Sequence, residues 1–220
     1  VGFAWAAKIK RESIVAATFF GDGATSSNDF HAGLNFAGVF QTPALFLLRN
    51  NGWAISVPSE QQTHSRTYAE KGIAYGVPGV RCDGNDALAV YAVTRAAVER
   101  ALRGEGPTLI ELVTYRAGAH SSSDDPTVYR DSGDADELGR RDPLRRLRAY
   151  LERQRVFSSA DQVALEERVQ AELSACIERA EEAPVPDIAS MFEDVFEELP
   201  AHLQAQLAEC VNGPRAKPRH

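Results

Sequence analysis

The sequence predicts an α/β fold: mainly a parallel sheet flanked by helices, with a helical C-terminal tail. Three observations predict it. Over the first 116 residues, apolar β-rich runs alternate with helix-patterned segments, as strands joined by crossover helices do. Two of those runs end abruptly, one in "GDG" at 21–23 and the other in "RNNGW" at 49–53. Beyond Arg116 the strand pattern stops, and a long polar stretch leads into segments of helical periodicity.

In chain order, "VGFAWAAKIK" spaces Val1, Ala4, Trp5 and Ile9 as a helix would. The sequence therefore starts inside a helix, and further chain is expected upstream of Val1. "SIVAATFF" (13–20) is an apolar β-rich run. "SNDFHAGLNFAGVF" (27–40) carries Phe30, Leu34 and Ala37 on one helical face, with Ser27 or Asn28 as N-cap. "ALFLLRNN" (44–51) is a second strand, "GVRCDGND" (79–86) a short strand and turn, and "PTLIELVTYR" (107–116) a fourth strand. Between the last two, "DALAVYAVTRAAVERALRG" (86–104) is an amphipathic helix closed by Gly104. Residues 117–142 have no periodicity and read as one long loop, a length usually kept for function or disorder. The tail follows: "PLRRLRAYLERQ" (143–154), a long helix over 159–184 with a Ser159 cap, then "IASMFEDVFEEL" and "HLQAQLAECV". The division this predicts is an α/β domain over 1–141, including loop 117–141, and a helical region over 142–220.

Composition excludes several classes. At 44% apolar and 25% charged residues, the 220-residue chain is an ordinary globular one. A net charge of −7 without basic runs argues against nucleic acid. No apolar stretch is long enough for a membrane span. Cys82, Cys176 and Cys210 lack metal-finger spacing and read as reduced thiols of a cytosolic compartment.

Gly-Asp-Gly is good turn chemistry by itself. A second motif raises its meaning. Residues 24–49 supply one helix and a return strand, so a βαβ unit brings Asp22 and Asn51 to the same edge of the sheet. Ligands gather there, beyond the carboxyl ends of parallel strands. A carboxylate and an amide oxygen are hard ligands. Magnesium wants about six oxygens at about 2.1 Å, often shared between one or two protein groups and phosphate. Glycines let backbone approach a phosphate, and the helix from about Ser27 turns its positive end towards it. The pattern predicts a metal that holds a diphosphate.

"GDG" followed by "NN" resembles the thiamine-diphosphate motif. With "HAGLNFAG", "RNNGWAISVP", "GVRCDGND", "GEGPTLIE", "TYRAGAHSSSDDPTVYR" and "FEELP", the chain resembles the alpha subunit of thiamine-diphosphate-dependent 2-oxo acid dehydrogenases, nearest to the branched-chain type. The resemblance implies a thiamine-diphosphate-binding fold and oxidative decarboxylation of branched-chain 2-oxo acids. Pyruvate dehydrogenase alpha is the alternative within the class. A truncated, non-catalytic cofactor-binding or interaction domain is the alternative outside it. By resemblance, Asp22, the Asn51 side chain and the Trp53 carbonyl bind magnesium. Gly21, Gly23 and the Ala24 backbone line the diphosphate, with Arg49 beside it. His120 contacts the cofactor and serves catalysis. Ser121 matches a regulatory phosphorylation site. Arg116, Asp124, Asp125, Tyr129 and Arg130 order the loop. Decarboxylation electrons pass to the cofactor and the acyl group to a lipoyl acyltransferase core. The implied partner is a beta subunit in a two-alpha, two-beta assembly, which supplies the ionising glutamate; the implied location is a bacterial-type cytoplasm. Outside the motifs, His31 is expected to face a helix surface or pack locally, Cys82 to be buried and unreactive, and the arginines of "RRDPLRRLR" to pair with nearby acids; His64, His202 and His220 have no assigned role.

Overall fold

The computed structural model describes residues 1–130, 139 and 141–214. They form two compact units, Val1–Phe157 and Ser158–His220. The boundary falls later than 141/142, and helix Pro143–Arg153 lies in the first unit.

The first unit is built on four parallel strands: β1 (Ala16–Gly21), β2 (Ala44–Asn50), β5 (Gly79–Asp83) and β6 (Thr108–Val113), side by side in the order β1-β2-β6-β5. Two-residue strands β3 (Trp53–Ala54) and β4 (Val57–Pro58) make a separate antiparallel hairpin. The four principal strands are those the apolar runs predict. β2 and β6 lie inside the sheet and are covered on both faces, which is why they read as unbroken apolar runs.

Alternate residues divide the core. Ala44, Phe46, Leu48 and Leu109 face Ala4 of α1 (Gly2–Lys10) and Phe30, Leu34 and Ala37 of α2 (Asn28–Phe40). Leu45, Leu47, Ile110 and Leu112 face Ala97 and Ala101 of α4 (Ala87–Leu102). The two crossovers run in opposite directions across the sheet. β1–α2–β2 steps one way and β5–α4–β6 the other, so right-handed connections put α2 and α4 on opposite faces. Ser27 caps α2, accepting from Phe30 N–H at 3.4 Å; Asp86 caps α4, accepting from Leu88 and Ala89.

Residues 59–78 hold elements with no sequence signal: the one-turn α3 (Ser59–Gln62) and a 3-10 segment, Ala69–Tyr75. That segment is tied to the sheet by Glu111, a carboxylate 1% exposed in the middle of β6. Its Oε2 accepts from the Ala69 N–H at 2.9 Å, and its Oε1 from Asn50 Nδ2 at 2.7 Å and Arg81 Nε at 3.3 Å. Arg81 is half in solvent, so the ion pair itself contributes little. The buried amide donors matter more, because without the carboxylate they have no acceptor. Glu111→Ala is expected to destabilise the fold by about 3 kcal/mol, the scale for breaking a buried charged network. Equilibrium urea unfolding measures it; a loss below about 1 kcal/mol would mean that water replaces the carboxylate.

Helix α5 (Pro143–Arg153) carries Arg145, Arg146 and Arg148 of "RRDPLRRLR"; Arg140 lies outside the described residues. Arg146 bonds Asp83 at 2.7 Å and Asp86 at 3.2 Å, at the turn between β5 and α4, and Arg148 bonds Glu152 at 2.8 Å. Cys82 is half-buried, and burial, then Asp83 and Asp86, push its thiol pKa up, which suits an unreactive cysteine.

The second unit contains α6 (Ser159–Glu181), α7 (Ser190–Glu193) and α8 (Ala201–Asn212). Ser158, not Ser159, caps α6, in a reciprocal box with Asp161. The helix expected over "IASMFEDVFEEL" shrinks to one turn: Glu193, its last residue, and Asp194, which caps it, oppose the negative end of a helix dipole. Among the described residues, no helix is long and apolar enough to cross a membrane.

Candidate functional site

β1 and β2 are neighbours, with Gly21 opposite Arg49. The two polar strand ends therefore emerge side by side. Directly after β1, a 3-10 turn, Asp22–Ser26, leads into the N-terminus of α2. Asp22 opens that turn and is 1% exposed. Thr25 Oγ1 donates to the Asp22 carbonyl at 2.8 Å and fixes the turn. The Asp22 carboxylate Oδ2 accepts from Gln62 Nε2 at 2.9 Å.

The glycines at 21 and 23 have different reasons. A Cβ at Gly21 would meet nothing within 4 Å, so open space adjoins that backbone. A Cβ at Gly23 would stand 2.7 Å from the Ala54 side chain, so this glycine lets the β3–β4 hairpin close over the turn. Packing against Ala54 thus gives Gly23 a reason of its own, beside the ligand contact expected of both glycines.

After β2 the chain turns twice through side-chain amides. Asn50 Oδ1 accepts from Gly52 N–H at 2.9 Å, and Asn51 Oδ1 from Trp53 N–H at 3.0 Å. Gly52 has φ of 82°, which glycine adopts freely. Ile55, at the hairpin tip, has φ of 57°, a strained value for a β-branched residue. The Asn51 oxygen keeps a second lone pair beyond its turn bond. Arg49 lies exposed on the face that α4 covers, opposite α2. Only the length of its side chain would carry its guanidinium to the strand ends.

The loop after β6 comes to the same hairpin. Thr114 N–H donates to Asn50 O at 2.7 Å. Arg116 Nη2 donates to Ile55 O at 2.9 Å and to Tyr129 OH at 2.6 Å. The Tyr129 ring lies 5.4 Å from that of Trp53. Tyr129 OH donates in turn to Asp124 Oδ2 at 2.7 Å, which also accepts from the His120 N–H at 2.7 Å. Arg130 Nη1 closes the loop on Arg116 O at 2.6 Å. Asp125 caps the short turn Pro126–Val128 through Thr127. So Arg116, Asp124, Tyr129 and Arg130 form one network, with His120 and Ser121 on its exposed side. Residues 131–138 and 140 of the predicted loop lie outside the described residues. The His120 N–H, then the Tyr129 hydroxyl, hold the Asp124 carboxyl below the usual carboxylate range. A depressed carboxyl stabilises the loop above the ordinary carboxylate pKa and loses that contribution as pH falls through the depressed value. The network is therefore intact at neutral pH.

Among the described residues, no three His, Cys, Asp or Glu are placed to hold a metal. One buried carboxylate, one amide oxygen and a carbonyl at Trp53 are an incomplete oxygen set. Such a set fits magnesium when the ligand's own phosphate oxygens complete the shell. The buried Gln62 Oε1, which has no hydrogen-bond partner, adds a second polar group awaiting something at this site.

A family model, the dehydrogenase E1 component, matches residues 1–189. The chain belongs to the dehydrogenase E1 component family. Among its E1 relatives, the 3-methyl-2-oxobutanoate dehydrogenase subunit alpha of Mycobacterium tuberculosis is 46% identical over 206 residues, covering 94% of this chain and 56% of that protein. The pyruvate dehydrogenase E1 component subunit alpha of Staphylococcus aureus is 43% identical over 206 residues, covering 93% and 56%. The mitochondrial 2-oxoisovalerate dehydrogenase subunit alpha 2 of Arabidopsis thaliana is 43% identical over 207 residues, covering 94% and 44%. The chain thus spans about half the length of these curated E1 relatives.

Two residues beside the candidate site carry no sequence signal: Gln62, which bonds Asp22, and Glu111, which bonds Asn50. The partners of Glu111 are 30, 42 and 61 residues away in sequence. Gln62 is one of two adjacent glutamines in an unpatterned stretch, and nothing local distinguishes it.

Proposed function

We propose that this chain supplies the magnesium- and diphosphate-binding side of a thiamine-diphosphate-dependent 2-oxo acid dehydrogenase, as its alpha subunit. One observation carries the reading: in a member of the E1 family, the buried Asp22 and the Asn51–Trp53 turn stand at adjacent carboxyl ends of β1 and β2. Asp22, the Asn51 amide oxygen and the Trp53 carbonyl would hold the ion. The open space beside Gly21 and the backbone at Ala24 would admit the diphosphate. The N-terminus of α2 adds partial positive charge, and Arg49 a full one if it reaches the strand ends.

Thiamine diphosphate, when bound, supplies the electron sink for decarboxylation. The chain's own residues position and protect. The Arg116–Tyr129–Asp124 network holds the His120 backbone, so the His120 imidazole projects from a fixed stretch rather than a free one. There it serves to hold or move a proton near the reacting group. Trp53 and Tyr129 join the metal turn to the His120 loop and help exclude water. A beta subunit and a lipoyl acyltransferase core are the proposed partners, and Ser121 is a candidate modification site.

The preferred substrate class is the branched-chain 2-oxo acids, by the resemblance of the motifs and the 46% identity to a 3-methyl-2-oxobutanoate dehydrogenase alpha subunit. The 43% identity to a pyruvate dehydrogenase alpha subunit supports a second reading, pyruvate. Reconstituting the native alpha chain with its beta subunit and assaying both acids decides. The expected result is a kcat/KM at least about tenfold higher for 3-methyl-2-oxobutanoate, or about 1.4 kcal/mol in transition-state binding. The reverse preference would establish the pyruvate reading, and no decarboxylation of either acid would support a non-catalytic domain.

A further inference from the structure

Gln62 stands on the one-turn helix α3, and no sequence pattern marks it. Its amide nitrogen donates to two acceptors, Asp22 Oδ2 at 2.9 Å and the Val57 carbonyl at 3.0 Å. Both neighbours are acceptors without a proton to give, so the amide has one sensible orientation: nitrogen towards those two oxygens, leaving Oε1 for another donor. In that orientation the Oε1 is buried and has no hydrogen-bond partner. A buried acceptor left alone is costly, and native structures seldom keep one without a reason.

We infer that Gln62 is a positioning residue for the proposed magnesium site: its amide N–H fixes the Asp22 carboxylate by one oxygen, and its Oε1 is the acceptor for a water carried by the ion. The inference rests on the cofactor reading above and adds to it a residue that the resemblance did not assign. Three things point the same way. Asp22 is buried, so the Gln62 bond is not traded easily for water. The Val57 carbonyl pins the amide from a second side, so the Asp22 carboxylate is held before any ion arrives. Magnesium sheds its waters reluctantly and usually keeps some, and each retained water has protons that need an acceptor. The orphaned oxygen meets that need without itself becoming a ligand.

Two substitutions test it in the native alpha–beta assembly, with magnesium and thiamine diphosphate as the titrants. Gln62→Leu removes both donor and acceptor. It is expected to raise the magnesium concentration for half-maximal cofactor binding about tenfold, while kcat at saturating magnesium falls less than about threefold. Gln62→Glu keeps the shape and places a second carboxyl against Asp22. Two carboxyls in contact share a proton until a cation displaces it. Magnesium binding by this variant is therefore expected to release close to one proton more than wild type near neutral pH. Calorimetry in buffers of different ionisation enthalpy reads this directly. A residue out of contact with Asp22 would change the melting temperature but not this proton count. If Gln62→Leu does not fold, Gln62→Met, which keeps the bulk without donor or acceptor, carries the magnesium titration.

Wild-type binding and Asp22→Ala serve as controls. If wild type binds no magnesium-dependent cofactor, or Asp22→Ala binds it unchanged, the cofactor reading itself fails. If those controls behave as proposed, yet Gln62→Leu keeps the wild-type magnesium dependence or Gln62→Glu releases no extra proton, the role of Gln62 is overturned and the site stands.

Discussion

Asp22→Ala is expected to weaken magnesium-dependent thiamine diphosphate binding by roughly 10²-fold or more while leaving the fold nearly intact. The size follows from its place. Asp22 is the only carboxylate among the proposed ion ligands, and losing even an outer-shell partner of a metal typically costs 10- to 100-fold. The fold should survive because the carboxylate's hydrogen bond is to Gln62, whereas the 3-10 turn is fixed by Thr25 through the Asp22 backbone carbonyl. Calorimetric titration of the reconstituted assembly measures the affinity, and thermal unfolding checks the fold. Unchanged affinity would remove Asp22 from the ion. A collapsed melting transition would make Asp22 a structural residue, and Asp22→Asn, which keeps the shape, would then carry the test.

The second large effect belongs to His120. His120→Ala is expected to lower turnover by roughly 10²-fold or more, the usual scale for a lost acid–base or positioning group. Its Kd for thiamine diphosphate should move by less than about tenfold, or about 1.4 kcal/mol. The separation arises because the loop is held through backbone and neighbours, not through the imidazole: Asp124 accepts from the His120 N–H, which alanine retains. Ser121→Glu should also silence the enzyme, by another route. It sets a negative charge beside an anionic diphosphate and an anionic substrate, and close to Asp124 and Asp125. Ser121→Ala adds no charge and should stay substantially active. Overall activity of the three variants with the beta subunit and a lipoyl domain makes the comparison. An active Ser121→Glu enzyme, or wild-type turnover from His120→Ala, would contradict placing this loop at the active site.

What could be read from the sequence followed physical strength of signal. β2 and β6 were legible because both faces are buried along Ala44–Leu48 and Leu109–Leu112, and those residues are apolar apart from Glu111. α2 was legible from Phe30, Leu34 and Ala37, and α4 from its amphipathic pattern and the Gly104 stop. The sheet edge that gathers Asp22 and Asn51 followed from one βαβ unit, and the pairing of Gly21 with Arg49 bears out that adjacency. The segment 53–78 was not legible. Its elements are two-residue strands, a one-turn helix and a seven-residue 3-10 segment, all too short to show an amphipathic period. Its shape comes instead from long-range bonds: Glu111 to Ala69, Gln62 to Asp22, Arg116 to Ile55. A carboxylate inside "TLIELV" gives no hint that it anchors another segment, because its partners are distant in sequence. Gly23 was legible as special but for an incomplete reason, since Ala54 occupies the place a side chain would need. The tail was legible as helical but not in its details: the acids after Met191 end a helix that its apolar residues alone would extend.

In the proposed function, two neighbouring strand ends make one ion site. Replacing magnesium by manganese in crystals of the reconstituted, thiamine-diphosphate-loaded assembly tests it most directly, because the anomalous signal locates the ion without reference to any assumed ligand. The account predicts a single peak in this chain, in direct contact with a carboxylate oxygen of Asp22, the amide oxygen of Asn51 and the carbonyl of Trp53, with phosphate oxygens completing the shell. A peak elsewhere, or one whose coordination omits Asp22, would contradict it.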